Sequence, residues 1–117
     1  MKINLKFVLS AAVALSSLAL LTSAHALDEE AAKALAKQNN CLKCHAIEKE
    51  KEGPAYKAVA AKYKGKANAE ARLIEHITSG EKAKFPDGHE EEHKIVKTSP
   101  PKDAAQIKNL VQWILAQ

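Results

Sequence analysis

The sequence has 117 residues, 27% of them charged, and a formal net charge of +4 at neutral pH. A chain of this length forms only one small core, and such domains often need a covalent staple. Two of the basic residues, Lys2 and Lys6, lie in a segment that we expect to be removed, which leaves a charge of +2. The mature chain therefore lacks the basic excess typical of nucleic-acid binding.

Residues 1–26 have the plan of a secretory signal peptide. Lys2 and Lys6 form the basic region, an apolar run follows, and Ala24-His25-Ala26 supplies the small-x-small cleavage site. A membrane anchor is the alternative, but the apolar run is short for a span. We predict a signal peptide at 1–26 and one periplasmic domain at 27–117, with no membrane span in the mature form.

The mature chain begins with a predicted helix. Asp28 is suited to cap it, with acidic residues in its first turn, and Asn39-Asn40 is suited to end it. Ala31, Ala34 and Leu35 lie on one predicted side, where small residues would let another helix approach closely. The motif Cys41-Leu42-Lys43-Cys44-His45 follows at once. Two cysteines spaced by two residues and followed by histidine are typical of c-type haem attachment. Cys41 and Cys44 would bond the two vinyl groups of one porphyrin, and His45 would be an axial ligand of its iron.

The two cysteines have three other possible roles. A thioredoxin-like redox pair needs a βαβ context, and nothing strand-like surrounds this one. A zinc site would need a second cysteine pair to complete four ligands. A surface disulfide is the third. The adjacent histidine and the export signal favour haem, which would also be the covalent staple of the small core.

The rest of the chain is predicted to be helical. Gly53-Pro54 opens the next element, with Pro54 suited to the first helical turn, and Gly65 ends it. Asn68 is suited to cap a third helix that ends at Gly80. Residues 81–102 are the least regular part. Asp103 with Gln106 resembles a capping box for the last helix. The predicted apolar faces comprise Tyr56, Val59, Ala60, Tyr63, Leu73, Ile74, Ile77, Ile107, Leu110, Val111, Ile114 and Leu115, the last group beside Trp113.

The order of these motifs resembles the small bacterial class I cytochromes c. The likeness is close over residues 41–80, which contain CLKCHAIEKEKEGPAYKAVAAKYKGK, and again over 103–117. The resemblance implies an all-α, single-domain fold in which the N- and C-terminal helices cross over a covalently attached haem. It further implies that the carbonyl of Pro54 accepts the ring N–H of His45, which fixes its tautomer. It places His76 where the family often has a basic residue near a haem propionate, the alternative being an exposed histidine on a helix flank.

The sixth iron ligand departs from the family pattern. The family usually supplies methionine before the last helix, but the only methionine here is Met1, which would leave with the signal peptide. The same loop carries His89 and His93. We favour His93, because Ile95 and Val96 follow it and can pack over the porphyrin. Asp87-Gly88 before His89 is a turn dipeptide that favours exposure. His89, Lys94, Lys97, water and an open site remain alternatives.

The letters His89-Glu90-Glu91-Glu92-His93 also match the HExxH pattern of zinc proteases. Such a site needs a third protein ligand, a substrate cleft and a helix buried enough to hold both imidazoles. A small domain that already holds a haem has little room for them. We therefore expect a solvated charged segment here.

The predicted function is single-electron transfer through one covalent haem c with bis-histidine ligation. An imidazole in place of sulfur predicts a lower potential than in the relatives with methionine. A haem-based sensor or small oxidoreductase with an open or detachable sixth site is the alternative, and a metallohydrolase on the loop histidines is a weaker one. No further nucleophile or carboxylate pair accompanies the haem motif, so we expect that the protein is not an enzyme.

We expect a monomer whose redox partner proteins dock near the exposed haem edge. The lysines that could steer an acidic partner are Lys43, Lys49, Lys51, Lys57, Lys62, Lys64 and Lys66.

Overall fold

The computed structural model describes residues 26–117, so the predicted signal peptide lies outside the described residues except for Ala26. Its elements in chain order are α1 (Glu29–Gln38), α2 (Cys41–Cys44), α3 (Tyr56–Tyr63), α4 (Ala69–Thr78), β1 (Lys82–Lys84), β2 (Glu90–Glu92) and α5 (Ala104–Leu115). No helix between residues 26 and 117 has both the length and the apolar character needed to cross a bilayer.

The core lies where α1, α3 and α4 pack on α5. The predicted inner face of α1 is wrong at Ala31 and Ala34, which are exposed, and right at Leu35. Ala32 and Ala36 are fully buried instead, and their small side chains let the backbones of α1 and α5 approach closely. From α5, Leu110, Val111 and Trp113 are the largest fully buried side chains. Each buried aliphatic or aromatic side chain contributes about 1.5–3 kcal/mol by leaving water. The predicted all-α architecture is confirmed.

The caps of the two terminal helices follow the sequence in part. The Asp28 carboxylate accepts the Ala31 N–H at 3.0 Å, and the Asp103 carboxylate accepts the Gln106 N–H at 2.9 Å. The return half of the capping box is absent at α5. The Gln106 side-chain amide donates to the Ser99 carbonyl at 2.9 Å, because the Asp103 N–H is already bonded to the Thr98 hydroxyl at 2.8 Å.

The start of α3 also differs from the prediction. The helix begins at Tyr56, so Pro54 precedes it rather than occupying its first turn. The Tyr56 N–H donates to the Ala46 carbonyl at 2.9 Å, which ties this point of the chain to the segment after the cysteine motif. Gly65 and Gly80 have the positive φ expected at helix ends, whereas Asn68 makes no side-chain cap bond at α4.

An antiparallel hairpin within residues 81–102 was not predicted. Its register pairs Lys82 with Glu92, Ala83 with Glu91 and Lys84 with Glu90. The turn is closed by the Phe85 N–H, which donates to the His89 carbonyl at 2.8 Å, and by Gly88 at a φ of 92°. Opposite charges face each other on one side of the hairpin, and such cross-strand pairs stabilise a ladder that has no apolar face.

Candidate haem site

The two cysteines lie on α2, a single helical turn that begins after Asn40. Asn40 has a φ of 56°, which turns the chain sharply between α1 and α2. Both thiols are free and partly exposed, and Cys41 packs against the core. Burial raises the pKa of the Cys41 thiol, and burial with the nearby Glu52 carboxylate raises that of Cys44. Both sulfurs are therefore protonated thiols that point from one short helix.

His45 follows α2 in extended backbone, and its ring is fixed by three neighbours. Its Nδ1 lies 2.8 Å from the carbonyl oxygen of Pro54, the contact that the resemblance implies. Its ring stacks on Tyr56 with the centroids 5.0 Å apart. A Cβ added at Gly53 would lie 2.4 Å from the ring Cε1, so only glycine lets the ring occupy this place. Nδ1 thus donates its hydrogen to Pro54, and Nε2 keeps its lone pair.

The chain around His45 is closed into a tight loop. The Gly53 N–H donates to the Cys44 carbonyl at 2.7 Å, and the Lys57 N–H donates to the Ile47 carbonyl at 3.0 Å. The charged stretch 49–52 bulges outward between these ties, with Lys51 Nζ bonded to the Leu42 carbonyl at 2.9 Å. The backbone bonds therefore set the His45 ring without help from distant parts of the chain.

His93 approaches the same place from the other side. It follows β2 directly, and its backbone N–H donates to the Glu81 carbonyl at 2.9 Å. Its ring centroid lies 6.3 Å from that of His45, with 45° between the ring planes. Its Nδ1 lies 2.9 Å from the Lys94 carbonyl oxygen, which leaves Nε2 free as in His45.

Burial lowers the pKa of both His45 and His93 below the ordinary value for histidine. The charged imidazolium loses its water when the ring is buried, and the neutral ring does not suffer to the same extent. Neutral imidazole is the form that binds metals. The rings of His45 and His93 are therefore kept as neutral imidazoles, the form that can bind a metal.

His89 occupies a different environment at the turn of the hairpin. Its Nδ1 is hydrogen-bonded to the Asp87 carboxylate, and its Nε2 lies 3.2 Å from a carboxylate oxygen of Glu91. The ring stacks on Phe85, with the centroids 4.3 Å apart, rather than on either of the other two histidines. The Asp87 carboxylate raises the pKa of His89, so this imidazole is stabilised in its charged form. Neither nitrogen is free for a metal.

The HExxH letters therefore do not form a zinc-protease site. His89 and His93 flank the strand β2, whereas the protease pattern needs both on one face of a helix. Between residues 26 and 117, no group of three or more His, Cys, Asp or Glu side chains is arranged to hold a metal ion.

His76 is a neighbour of His93 that sequence reasoning did not connect with it. Its side chain is only 29% exposed, and its ring centroid lies 4.4 Å from that of His93. It is therefore not the exposed flank histidine of the alternative interpretation. The histidine spacing carries no signal for this contact, because the hairpin that brings His93 to α4 was not predicted.

The lysines near the motif are divided between internal contacts and solvent. Lys57 is paired with Glu48 at 2.6 Å, and Lys62 and Lys66 lie over the ring of Tyr63. Leu42, between the two cysteines, is 37% exposed. The apolar surface beside the thiols is thus accessible, with Lys43 next to it in the sequence.

Comparison with known proteins agrees with this site. The family described as cytochrome c matches residues 29–117. The chain belongs to the cytochrome c family. It is 38% identical over 87 residues to cytochrome c-551 of Allochromatium vinosum, which covers 69% of this chain and 80% of that protein. Among solved structures, the class 1 cytochrome MtoD of Sideroxydans lithotrophicus ES-1 is 64% identical, with a TM-score of 0.72 over 78% of this chain and 97% of that one. Cytochrome c552 of Nitrosomonas europaea is 33% identical, with a TM-score of 0.57 over 72% of this chain and 96% of that one.

Family membership confirms the predicted class I cytochrome c fold and one haem c bonded to Cys41 and Cys44. The residues fit this group. Two free thiols lie one turn apart, Gly53 leaves room for the His45 ring, and two imidazoles have an unoccupied nitrogen. In addition, the buried indole N–H of Trp113 has no hydrogen-bond acceptor anywhere in residues 26–117. The cytochromes c-551, c2 and c-552 are electron carriers.

Proposed function

We propose that this chain is a single-electron carrier whose haem iron is ligated by His45 and His93. The observation that carries the proposal is the matched state of the two imidazoles. Each donates its Nδ1 hydrogen to a backbone carbonyl, at 2.8 Å for His45 and 2.9 Å for His93, and each keeps Nε2 free. A hydrogen bond of this kind fixes the tautomer of a metal-binding histidine.

The separation of the two rings supports the same assignment. Each metal–nitrogen bond is about 2 Å long, and each ring centre lies about 1 Å beyond its nitrogen. Two imidazoles on opposite sides of one metal therefore have their ring centres about 6 Å apart. The centroids of His45 and His93 are 6.3 Å apart. His89 has both nitrogens engaged by carboxylates, and the chain has no methionine after Met1. His93 is therefore the residue that we assign to the sixth position.

The ligand pair leads to the proposed lowered potential. Haem supplies reversible one-electron chemistry, and the choice of axial ligand is one of the protein's main controls on its potential. Methionine opposite histidine raises the potential. An imidazole is the better donor and stabilises ferric iron, so we expect a lower midpoint potential than in relatives that use methionine.

In this proposal the chain provides both axial nitrogens, which favours an electron carrier over a sensor. A sensor or small oxidoreductase needs a vacant or detachable sixth position, and here the backbone is hydrogen-bonded to other elements at His93 and again three residues later. The His93 N–H is bonded to Glu81, and the Val96 N–H donates to the Ile77 carbonyl at 2.9 Å. We expect no catalytic activity of its own.

The proposed setting follows from the first residues of the sequence. We propose export to the periplasm by cleavage after Ala26, which leaves a monomeric domain without a membrane span. Partner proteins would dock at the exposed apolar surface around Leu42, with Lys43 and Lys51 nearby to steer an acidic partner. Electron-transfer rates that fall with added salt would support the charged part of this docking.

The decisive experiment compares two variants of the haem-loaded protein. Ferric EPR and the ferrous visible spectrum with and without CO are recorded for the wild type, for His93→Ala and for the control His89→Ala. We expect a low-spin signal insensitive to CO in the wild type and in His89→Ala. In His93→Ala we expect loss of that signal and formation of a CO complex. An unchanged low-spin signal in His93→Ala would contradict the assignment.

A reductive titration then tests the potential. We expect a midpoint for the wild type below that of cytochromes with histidine and methionine ligands. We also expect His93→Met to raise the midpoint, because it restores the sulfur ligand. A wild-type midpoint as high as that of the methionine-ligated relatives would end the low-potential part of the proposal and leave the carrier intact.

A further inference from the structure

The ring of His93 has little support from its own segment. Its covalent neighbours are a three-residue strand and a loop, and its Nδ1 is bonded only to the carbonyl of the next residue, Lys94. On the opposite side, His45 is fixed by the cysteine motif, the Pro54 carbonyl and the ring of Tyr56. The orientation of the His93 ring therefore depends on residues that approach it from other elements.

One of these residues is His76, in the last turn of α4. The two ring centroids are 4.4 Å apart, closer than those of His93 and His45, and the planes are tilted by 47°. Tilted aromatic pairs at this separation stabilise each other beyond the area they bury. The His93 ring thus packs against the His76 ring.

His76 is itself held in place by a charged network. Its Nδ1 is 2.5 Å from Oε1 of Glu81, and the same oxygen is 2.7 Å from the guanidinium of Arg72 on α4. Glu81 also accepts the His93 N–H through its backbone carbonyl, at 2.9 Å. One residue therefore contacts both histidines, with its carboxylate on His76 and its carbonyl on His93.

We propose that His76 is a positioning residue for the sixth ligand, held by Glu81 and Arg72 so that its ring fixes the plane of the His93 imidazole. The inference rests on the proposed ligation by His93. His76 does not touch the iron. Its ring limits the rotation of the His93 ring and so keeps Nε2 directed at the haem. Without the His76 ring, the His93 ring rotates and leaves the iron more often. The fraction of protein that can bind an external ligand such as CO then rises.

The test uses haem-loaded protein and two readouts that report on the sixth ligand itself. The first is the spread of g-values in the ferric low-spin EPR signal, which depends on the angle between the two imidazole planes. The second is the affinity of the ferrous protein for CO, which depends on how often the sixth position is open. The variants are His76→Ala, His76→Phe and Glu81→Gln, with His89→Ala as the matched control, because His89 stacks on Phe85 and does not contact His93.

For His76→Ala we expect shifted g-values and CO affinity raised about fivefold, the factor that corresponds to losing an aromatic contact of about 1 kcal/mol. In His76→Phe, which keeps a ring of similar shape, we expect both readouts to return toward the wild type. In Glu81→Gln, where the carboxylate that contacts both His76 and Arg72 is lost but the backbone carbonyl remains, we expect a smaller change in the same direction. His89→Ala should match the wild type.

The outcomes separate this inference from the ligation itself. If His93→Ala keeps the wild-type EPR signal, the ligation by His93 is wrong and the inference goes with it. If His93→Ala loses the signal while His76→Ala retains wild-type g-values and CO affinity, the ligation stands and the positioning role is wrong. A His76→Phe variant as perturbed as His76→Ala would likewise overturn the role of the ring. If His76→Ala yields no folded protein, Glu81→Gln alone decides, and wild-type values there reject the network.

Discussion

The two histidines that face each other are held in opposite ways. His45 belongs to a short contiguous stretch, residues 41–54, in which the cysteines, Gly53 and the Pro54 carbonyl all lie within nine residues of it along the chain. His93 is held by Glu81 and by the packing of His76 on α4. The loop after it is bonded through Lys97 to Asn39 at the end of α1, more than fifty residues away. One side is local in sequence, and the other is assembled by the fold.

This difference determines how each side fails. A local site depends on close steric fit, so a single added atom can displace His45. An assembled site depends on several separate ties, so the loss of one tie loosens His93 without removing it. Changes on the His45 side should therefore have the larger effects, and changes on the His93 side should be graded.

Gly53→Ala is the sharpest way to break the local side. The new methyl group would lie 2.4 Å from the His45 ring, so the ring or the Pro54 segment must move. Overpacking of this kind costs about 1–3 kcal/mol. We expect an altered low-spin EPR signal and a lower yield of covalent haem, measured by mass spectrometry of the purified protein.

Gly65→Ala is the control for the glycine itself. Gly65 has a φ of 76°, but nothing lies within 4 Å of an added Cβ. We expect a loss of about 1–2 kcal/mol in unfolding free energy from the left-handed backbone, with full haem attachment and a wild-type EPR spectrum. Equal spectra for the two variants would show that His45 does not need the space at Gly53.

The local side was also the part that sequence could predict. Cys41, Cys44 and His45 form a fixed pattern, and the apolar residues of α5 recur at helical spacing, so the motif and the terminal helix followed from order and period alone. Asp28 and Asp103 cap their helices through side chains that act within three residues. These features depend only on near neighbours in the chain.

The hairpin and the contact between His76 and His93 could not be predicted in this way. Asp87-Gly88 is a hairpin dipeptide, but the flanking strands have lysine and glutamate where a hairpin usually has alternating apolar residues. Its register places lysine opposite glutamate across the ladder, which a single strand does not reveal. Because the hairpin sets where His93 lies, its contact with His76 of α4 was hidden, and so were the bonds between Lys97 and Asn39 at the end of α1.

Asn39→Ala loosens the assembled side at its most distant tie. The Asn39 side chain accepts the Lys97 N–H at 2.7 Å and donates to the Lys97 carbonyl at 3.0 Å, which joins the end of α1 to the loop after His93. Two such hydrogen bonds contribute about 1–3 kcal/mol together. We expect lower stability in denaturant together with faster CO binding to the reduced protein, because the loop opens more often.

Asn109→Ala is a matched control because Asn109 makes the same pair of bonds elsewhere. Its side chain accepts the Asp28 N–H at 2.9 Å and donates to the Asp28 carbonyl at 2.7 Å, which joins α5 to the start of α1. We expect a similar loss of stability with an unchanged rate of CO binding. Faster CO binding in both variants would mean that global unfolding, rather than the loop, admits the ligand.

The smallest effect is expected at the hairpin turn, where Asp87→Asn tests why His89 is not a ligand. The Asp87 carboxylate raises the pKa of His89 above its ordinary value of 6.5, and His89 lowers that of Asp87. Because the folded pKa of His89 is raised and that of Asp87 is lowered, this pair contributes fully between their ordinary values of 3.8 and 6.5. The contribution is lost as the pH rises through the folded pKa of His89 or falls through that of Asp87. The pair is exposed, so solvent screening keeps its contribution to stability small.

We expect the His89 pKa in an NMR titration of the reduced protein to fall toward 6.5 in Asp87→Asn, with the EPR spectrum unchanged. A changed EPR spectrum would mean that the turn does not isolate His89 from the iron, and the contrast between the two loop histidines would be wrong.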